Sequence, residues 1–185
     1  SNTANGANYS TIGGGLGNTA SGDVSTLSGG YSVVASGRTS FVGGGCVNSA
    51  SGACSAVAGG GSNTAAANGS FIGGGRCNTT SAYCSGILGG ISNCVCAGAT
   101  KSFIIGSNLT ATAACYTYTN NIQACGVINA SGDITSNTNL KSMYQAGDEG
   151  GEINLNIPAT NTTLATNVTI DVYQDRLRIF EGGGS

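Results

Sequence analysis

The stretch Ser10-Thr11-Ile12-Gly13-Gly14-Gly15-Leu16-Gly17-Asn18-Thr19-Ala20-Ser21-Gly22 returns, with substitutions, every fifteen residues. Ser10, Ser25, Ser40, Ser55, Ser70 and Ser85 keep that interval without a slip. Two positions later stand Ile12, Leu27, Val42, Val57, Ile72 and Ile87. The glycine pairs Gly14-Gly15, Gly29-Gly30, Gly44-Gly45, Gly59-Gly60, Gly74-Gly75 and Gly89-Gly90 follow them. A second half-repeat reads Asn18-x-Ala20-x-Gly22, Asn48-x-Ala50-x-Gly52 and Asn63-x-Ala65-x-Ala67, with degenerate copies from Val33 and Asn78. A two-residue insertion shifts a seventh copy to Ser102-x-Ile104-x-Gly106. A fixed period of this size marks a stacked-repeat architecture.

Each half-repeat alternates small or polar, x, apolar, x, Gly, the period of a strand with one buried face. The glycine load excludes a helix. Two short strands per repeat, joined by turns near Leu16-Gly17 and Asp23-Val24, make one coil of a narrow parallel β-solenoid or β-roll. Identical positions then stack about 4.8 Å apart. Ser, Ile and Gly of one strand face inward against Asn, Ala and Gly of the other, and glycine is expected where the opposite backbone comes close. Stacked Asn and Ser are expected to bond to their copies above and below. One apolar residue per coil is a small core, so further buried surface is expected. Leu16, Tyr31, Phe41, Phe71 and Ile91 fall at outward positions and form the candidate subunit interface.

Composition agrees with a repeat and excludes several classes of function. Of 185 residues, 33 are Gly and one is Pro, and only 8% are charged against a usual quarter, so no conventional two-layer core is expected. The net charge of −2 leaves no basic stripe to neutralise phosphates, and nucleic acid is not an expected partner. No apolar run approaches the eighteen residues of a membrane span, and the N-terminus has no signal-peptide pattern. The chain opens inside a repeat, Ser1-Asn2-Thr3-Ala4 matching Ser62-Asn63-Thr64-Ala65, and reads as a fragment.

Catalytic chemistry has little to work with. The chain has no histidine, which removes the commonest general base, the Ser-His and Cys-His pairs and the usual zinc ligand. Its Gly triplets follow strands without opening helices, so they are not phosphate loops. No catalytic, cofactor-binding or metal residue is assigned, and the expectation is a protein that is not an enzyme and carries no cofactor. Asp148, Glu149 and Glu152 form a carboxylate cluster, read as a solvated acidic turn in preference to a calcium site or a glycosidase pair.

There are eight cysteines. Cys54 and Cys84 share a column but lie two coils, about 9.6 Å, apart, beyond a disulfide's reach. Cys46 and Cys54 fall at opposite turns, and Cys94 and Cys96 share a strand face at a separation marginal for bonding. Free, mostly buried thiols are expected, which fits assembly in a reducing cytosol. The glycosylation-type triplets at Asn8, Asn68, Asn78, Asn108, Asn129, Asn161 and Asn167 are read as chance in a chain so rich in Asn, Ser and Thr.

The run from Ser10 to Gly22 resembles the head repeats of trimeric autotransporter adhesins, whose parallel β-rolls assemble three chains around one axis. The resemblance covers about residues 4 to 107; those repeats usually have fourteen residues and no cysteine. Seven of the eight acidic residues fall between Asp133 and Glu181, which places a boundary between about 107 and 145. Val127-Ile128-Asn129-Ala130-Ser131-Gly132-Asp133-Ile134-Thr135 resembles the strand-turn-strand units of phage tail-fibre shafts. Residues 147–155 and 169–181 are similar to a C-terminal module in tail fibres of aquatic phages, which normally continues past the glycines after Glu181. Residues 169–173 and 176–180 alternate around Gln174-Asp175 as a hairpin, and such an end could cap the solenoid.

These observations divide the chain into a solenoid at 1–107, connector or shaft strands at 108–145, and a truncated β-rich module at 146–185. The resemblance implies a homotrimeric fibre on a virion surface or outside the cell, attaching to a host-surface glycan or protein receptor without inserting in a membrane. One alternative is the head domain of a bacterial surface adhesin. Another is an ice-binding β-solenoid, whose best threonine row would be Thr19, Val34, Ser49, Thr64, Thr79 and Cys94.

Overall fold

The computed structural model describes residues 1–5, 8–122, 153–155, 168–173 and 176–181. The chain divides into two compact units, Ser1–Cys125 and Gly126–Ser185. The first is an all-β parallel solenoid. Each coil gives one short strand to each of two eight-stranded parallel sheets. The first sheet runs from Thr3–Ala4 through Thr19–Ala20, Val34–Ala35 and onward to Thr110–Ala111. The second runs from Thr11–Ile12 through Thr26–Leu27, Phe41–Val42 and onward to Thr117–Thr119. Like lies over like: Ile12 pairs with Leu27, Leu27 with Val42, Val42 with Val57, Val57 with Ile72, and Ile72 with Ile87. Ile104 pairs with Ile87, so the inserted copy rejoins the column.

That register makes the core. Leu27, Val42, Val57, Ile72, Ile87 and Ile104 form one wall, and Ala20, Ala35, Ala50, Ala65, Val95 and Ala111 the other, all at 0% exposure. Backbone N–H and C=O groups pair from coil to coil, as in Thr26 N–H to Ser40 O at 2.9 Å and Ser28 N–H to Val42 O at 3.0 Å. Two-residue strands are viable here because the ladders continue through the turns, leaving few buried backbone groups unpaired.

The asparagine ladder forms, but it runs through the neighbouring backbone instead of from side chain to side chain. Asn63 Nδ2 donates to Gly59 O of its own coil and to Gly75 O of the next, both at 3.0 Å. Its Oδ1 accepts from the Asn78 N–H at 3.1 Å. The same set recurs at Asn18, Asn78 and Asn93. Val33 breaks one rung: no Oδ1 stands below the Asn48 N–H, whose counterparts in other coils each have one.

The serine ladder expected from stacking does not form. Ser25, Ser40 and Ser55 bury their Oγ without a partner. Ser70 and Ser85 instead donate to Ala67 O and Ala82 O of their own coils, both at 2.7 Å. The change coincides with Ala replacing Gly three residues before the serine. Removing a hydroxyl that makes no bond releases a desolvated group, whereas removing a bonded one loses about 1 kcal/mol. Ser40→Ala should therefore leave the unfolding midpoint level or slightly raised, and Ser85→Ala should lower stability by about 1 kcal/mol, both read by thermal denaturation.

Glycine also works differently from the expectation. The middle glycines Gly14, Gly59, Gly74 and Gly89 face open space, where an added Cβ would meet nothing within 4 Å. The third glycine is the constrained one. Gly75 has φ +83°, and a Cβ there would press on the Gly90 backbone of the next coil and on Asn78 Nδ2. The close approach is thus along the stack, between successive coils, and not across the interior.

Both expected turns are present, and each takes one residue into the left-handed region. One corner column holds Gly17, Ser32, Val47, Ser62, Cys77, Ser92 and Asn108, and the other Tyr9, Val24, Thr39, Cys54, Gly69, Cys84, Lys101 and Cys115. The φ values of the non-glycine members lie between 51° and 65°. Such conformations cost of order 1–3 kcal/mol each and persist only where the surroundings fix them. Here the fixing is visible: Val24 N–H bonds to Asn8 O, Thr39 N–H to Asp23 O and Cys54 N–H to Arg38 O, each at 2.8 Å.

The solenoid continues past residue 107, where the serine spacing places its end. Thr110–Ala111 joins the first sheet and Thr117–Thr119 the second. The step from Ile87 to Ile104 takes seventeen residues and the step from Ile104 to Tyr118 fourteen, so the coil survives while the period does not. Tyr118 takes the inward column of this last coil. Its phenol oxygen reaches the Thr112 and Ala113 N–H groups at 3.2 and 3.0 Å. Those bonds, Ala113 first, hold its pKa below the usual tyrosine value.

In the second unit, Val168–Tyr173 pairs antiparallel with Arg176–Glu181, giving the expected hairpin strands, and Ile153–Leu155 pairs with Val168–Tyr173 on its other side. The Val127 to Thr135 motif, the Asp148, Glu149 and Glu152 cluster and the Gln174-Asp175 turn lie outside the described residues.

Candidate functional site

The outward positions of the solenoid carry no charge cluster but an ordered set of apolar side chains. The second sheet presents a strand column of Thr11, Thr26, Phe41, Ala56, Phe71, Gly86 and Phe103. At the corner that follows, single-residue bridges stack Leu16, Tyr31, Cys46, Gly61, Arg76 and Ile91. All five residues expected at an interface are exposed: Leu16 57%, Tyr31 54%, Phe41 40%, Phe71 39% and Ile91 55%. They fall in two columns, with Phe41 and Phe71 on the strand and Leu16, Tyr31 and Ile91 at the corner.

In four of six coils the columns complement each other in size. Thr11 goes with Leu16, Thr26 with Tyr31, Phe41 with Cys46 and Gly86 with Ile91; Phe71 and Arg76 are both bulky, one apolar and one charged, while Ala56 and Gly61 are both small. Each coil but that one therefore offers one bulky apolar group, from one column or the other. Phe103, exposed to 43%, belongs to the same set. The insertion at 85–102 hides it from fifteen-residue arithmetic. Leu88 and Ile105, also exposed, add to this face of the second sheet.

The outer face of the first sheet is different. Thr19, Val34, Ser49, Thr64, Thr79 and Cys94 do form one continuous column. Ser21, Ser36, Ser51, Ala66, Ser81 and Cys96 alternate with it. The face is uncharged and built of small side chains, but Val34, Ser49 and Cys94 interrupt the hydroxyl-methyl pattern of a threonine array.

The described cysteines do not fill the interior. Cys46, Cys54, Cys77 and Cys115 are exposed and Cys84, Cys94 and Cys96 half-buried, all free thiols. The expectation of buried thiols fails because Cys54, Cys77, Cys84 and Cys115 occupy left-handed corners, whose side chains point outward. Cys54 Sγ lies 3.1 Å from Thr39 Oγ1 one coil below, and Gly69 separates Cys54 from Cys84 in their column. The Tyr83 pKa is raised, first by a hydrogen bond with Cys84. Asn78, one of the glycosylation-type triplets, is fully buried in the ladder, whereas Asn8, Asn68 and Asn108 are exposed. Among the described residues no three His, Cys, Asp or Glu side chains gather as a metal site, and no helix is long and apolar enough to cross a membrane.

No family model matches the chain, and no curated protein and no solved structure is significantly similar to it.

Proposed function

We propose that the chain is a non-enzymatic structural and attachment segment of a trimeric fibre, carried on a virion surface or another extracellular surface. The observation that carries this reading is the outward apolar series, one bulky group in all but one of the coils, along a stiff stack. Solvent-facing rows of this kind are expensive in an isolated rod and useful where another chain covers them. In a cyclic trimer with parallel axes, coils of neighbouring chains lie at equal height. The strand column of one chain can then meet the corner column of the next, large against small in four of the six coils. Three copies of one rod present three copies of any receptor-binding patch, and multivalency turns weak contacts with a host-surface glycan or protein into firm attachment. The head of a bacterial surface adhesin would use the same geometry.

Light scattering on the eluting peak of a gel-filtration run tests the assembly. A mass three times the 18.0 kDa of one chain is expected, and a mass of one chain contradicts it. The double variant Phe71→Asp with Ile91→Asp should run as a single chain with an unchanged β-rich circular dichroism spectrum, because both side chains lie outside the core.

A further inference from the structure

Cys94 and Cys96 stand on the outer face of the first sheet, in the two adjacent columns that neighbouring coils fill with Thr79 and Ser81 and with Thr110 and Thr112. Both are half-buried, and Val95 between them points into the core at 0% exposure. This is the one described coil in which thiols occupy both columns at once. The backbone under them is pinned: Cys94 N–H donates to Leu109 O at 2.9 Å and Cys96 N–H to Ala111 O at 3.0 Å.

That geometry discriminates between two fates of a thiol pair. Same-face neighbours on an extended strand have backbones roughly 6.5 Å apart, whereas a disulfide needs Cβ atoms within about 3.5–4.5 Å. Closing one would pull the strand off the next coil. Two thiolates sharing a cation at about 2.3 Å each need only bring their sulfurs to roughly 3.8–4.6 Å, from a tetrahedral to a linear angle.

We propose that Cys94 and Cys96 form a two-thiolate clamp for a soft monovalent cation of the Cu(I) class. Thiolates select such ions over hard ones. Two ligands satisfy the low coordination number of Cu(I), whereas structural zinc takes four, and no third His, Cys, Asp or Glu joins the pair among the described residues. On binding, each thiol gives its proton to solvent, and no oxidant or reductant is required. The clamp does not depend on the trimer, since its face is not the one assigned to assembly.

The test is a titration of the reduced full chain with Cu(I), without oxygen, against a chromogenic Cu(I) chelator. The chains compared are the wild type, Cys94→Ser, Cys96→Ser and the control Cys46→Ser with Cys77→Ser. Serine already occupies these columns at Ser49 and Ser81, so the fold is kept. One tight equivalent is expected in the wild type and the control, weakened at least tenfold in either single variant. Undiminished affinity in the single variants, or an equal loss in the control, overturns the clamp. Phenylarsine oxide, which joins two thiols with loss of one water, gives a second measurement. Held against excess monothiol, it should map by digestion to the peptide carrying residues 94 and 96, and mapping elsewhere overturns the proposal.

Discussion

Gly75→Ala should destabilise the solenoid by about 3–5 kcal/mol, while Gly74→Ala, one residue away, should leave it unchanged or gain up to about 1 kcal/mol. The two glycines look interchangeable in the Gly73-Gly74-Gly75 run. They differ in space. Gly75 sits at φ +83°, and its missing Cβ is what lets the Gly90 backbone of the next coil and the amide of Asn78 lie against it. A methyl group there meets backbone that cannot give without opening the ladder on both sides, and the left-handed conformation adds its own cost for any residue with a side chain. Gly74 has nothing within 4 Å and no left-handed φ, so alanine there mainly narrows the unfolded ensemble. At matched protein concentration, Gly75→Ala should lower the melting midpoint by about 10 °C. Equal effects of the two substitutions would mean that the coils are not stacked through the third glycine.

Asn63→Ala should cost about 3 kcal/mol, more than its modest volume suggests. Asn63 makes two donor bonds and one acceptor bond beyond its own backbone, and it is fully buried. Truncation leaves the Asn78 N–H without its acceptor, removes the side-chain donor of Gly59 O, and leaves Gly75 O with the Gly61 N–H alone. A buried unpaired amide costs about 1–3 kcal/mol. Asn63→Asp keeps acceptors but loses both donors and sets a buried carboxylate against two carbonyls, so it should do no better at neutral pH. Val33 provides the reverse experiment. It occupies an asparagine position and leaves the Asn48 N–H without the Oδ1 that other coils supply. Val33→Asn should therefore raise stability by about 1 kcal/mol, seen as a higher midpoint. A loss on Val33→Asn would show that the ladder contributes less than its geometry implies.

What was legible in the chain is what stacking repeats identically. The column from Leu27 to Ile87, the facing alanines, the buried asparagines and the two turns per coil all follow from a fifteen-residue period read with strand alternation. The last coil escaped because seventeen residues lead to Ile104 and fourteen to Tyr118, so its membership rests on pairing and not on spacing. The left-handed corners were silent for a different reason. Val24, Thr39, Val47 and Cys77 are residue types that carry no signal for positive φ, and their conformation is imposed by hydrogen bonds from the adjacent coil. That same corner placement turned most cysteines outward. The five candidate interface residues are outward and apolar, as the alternation places them. Their division between a strand column and a corner column was not legible, since it depends on where the coil bends after the glycine triplet.

The most direct test of the account is a methyl–methyl NOE map of protein labelled at Leu, Val and Ile. Stacked coils put Leu27 against Val42, Val42 against Val57, Val57 against Ile72, Ile72 against Ile87 and Ile87 against Ile104, about 4.8 Å apart in backbone spacing. Cross-peaks should link each of these neighbours in one unbroken series, with none between residues two coils apart. A map in which Val42 contacts neither Leu27 nor Val57, or in which the series is offset from these pairings, would contradict the fold and everything inferred from it.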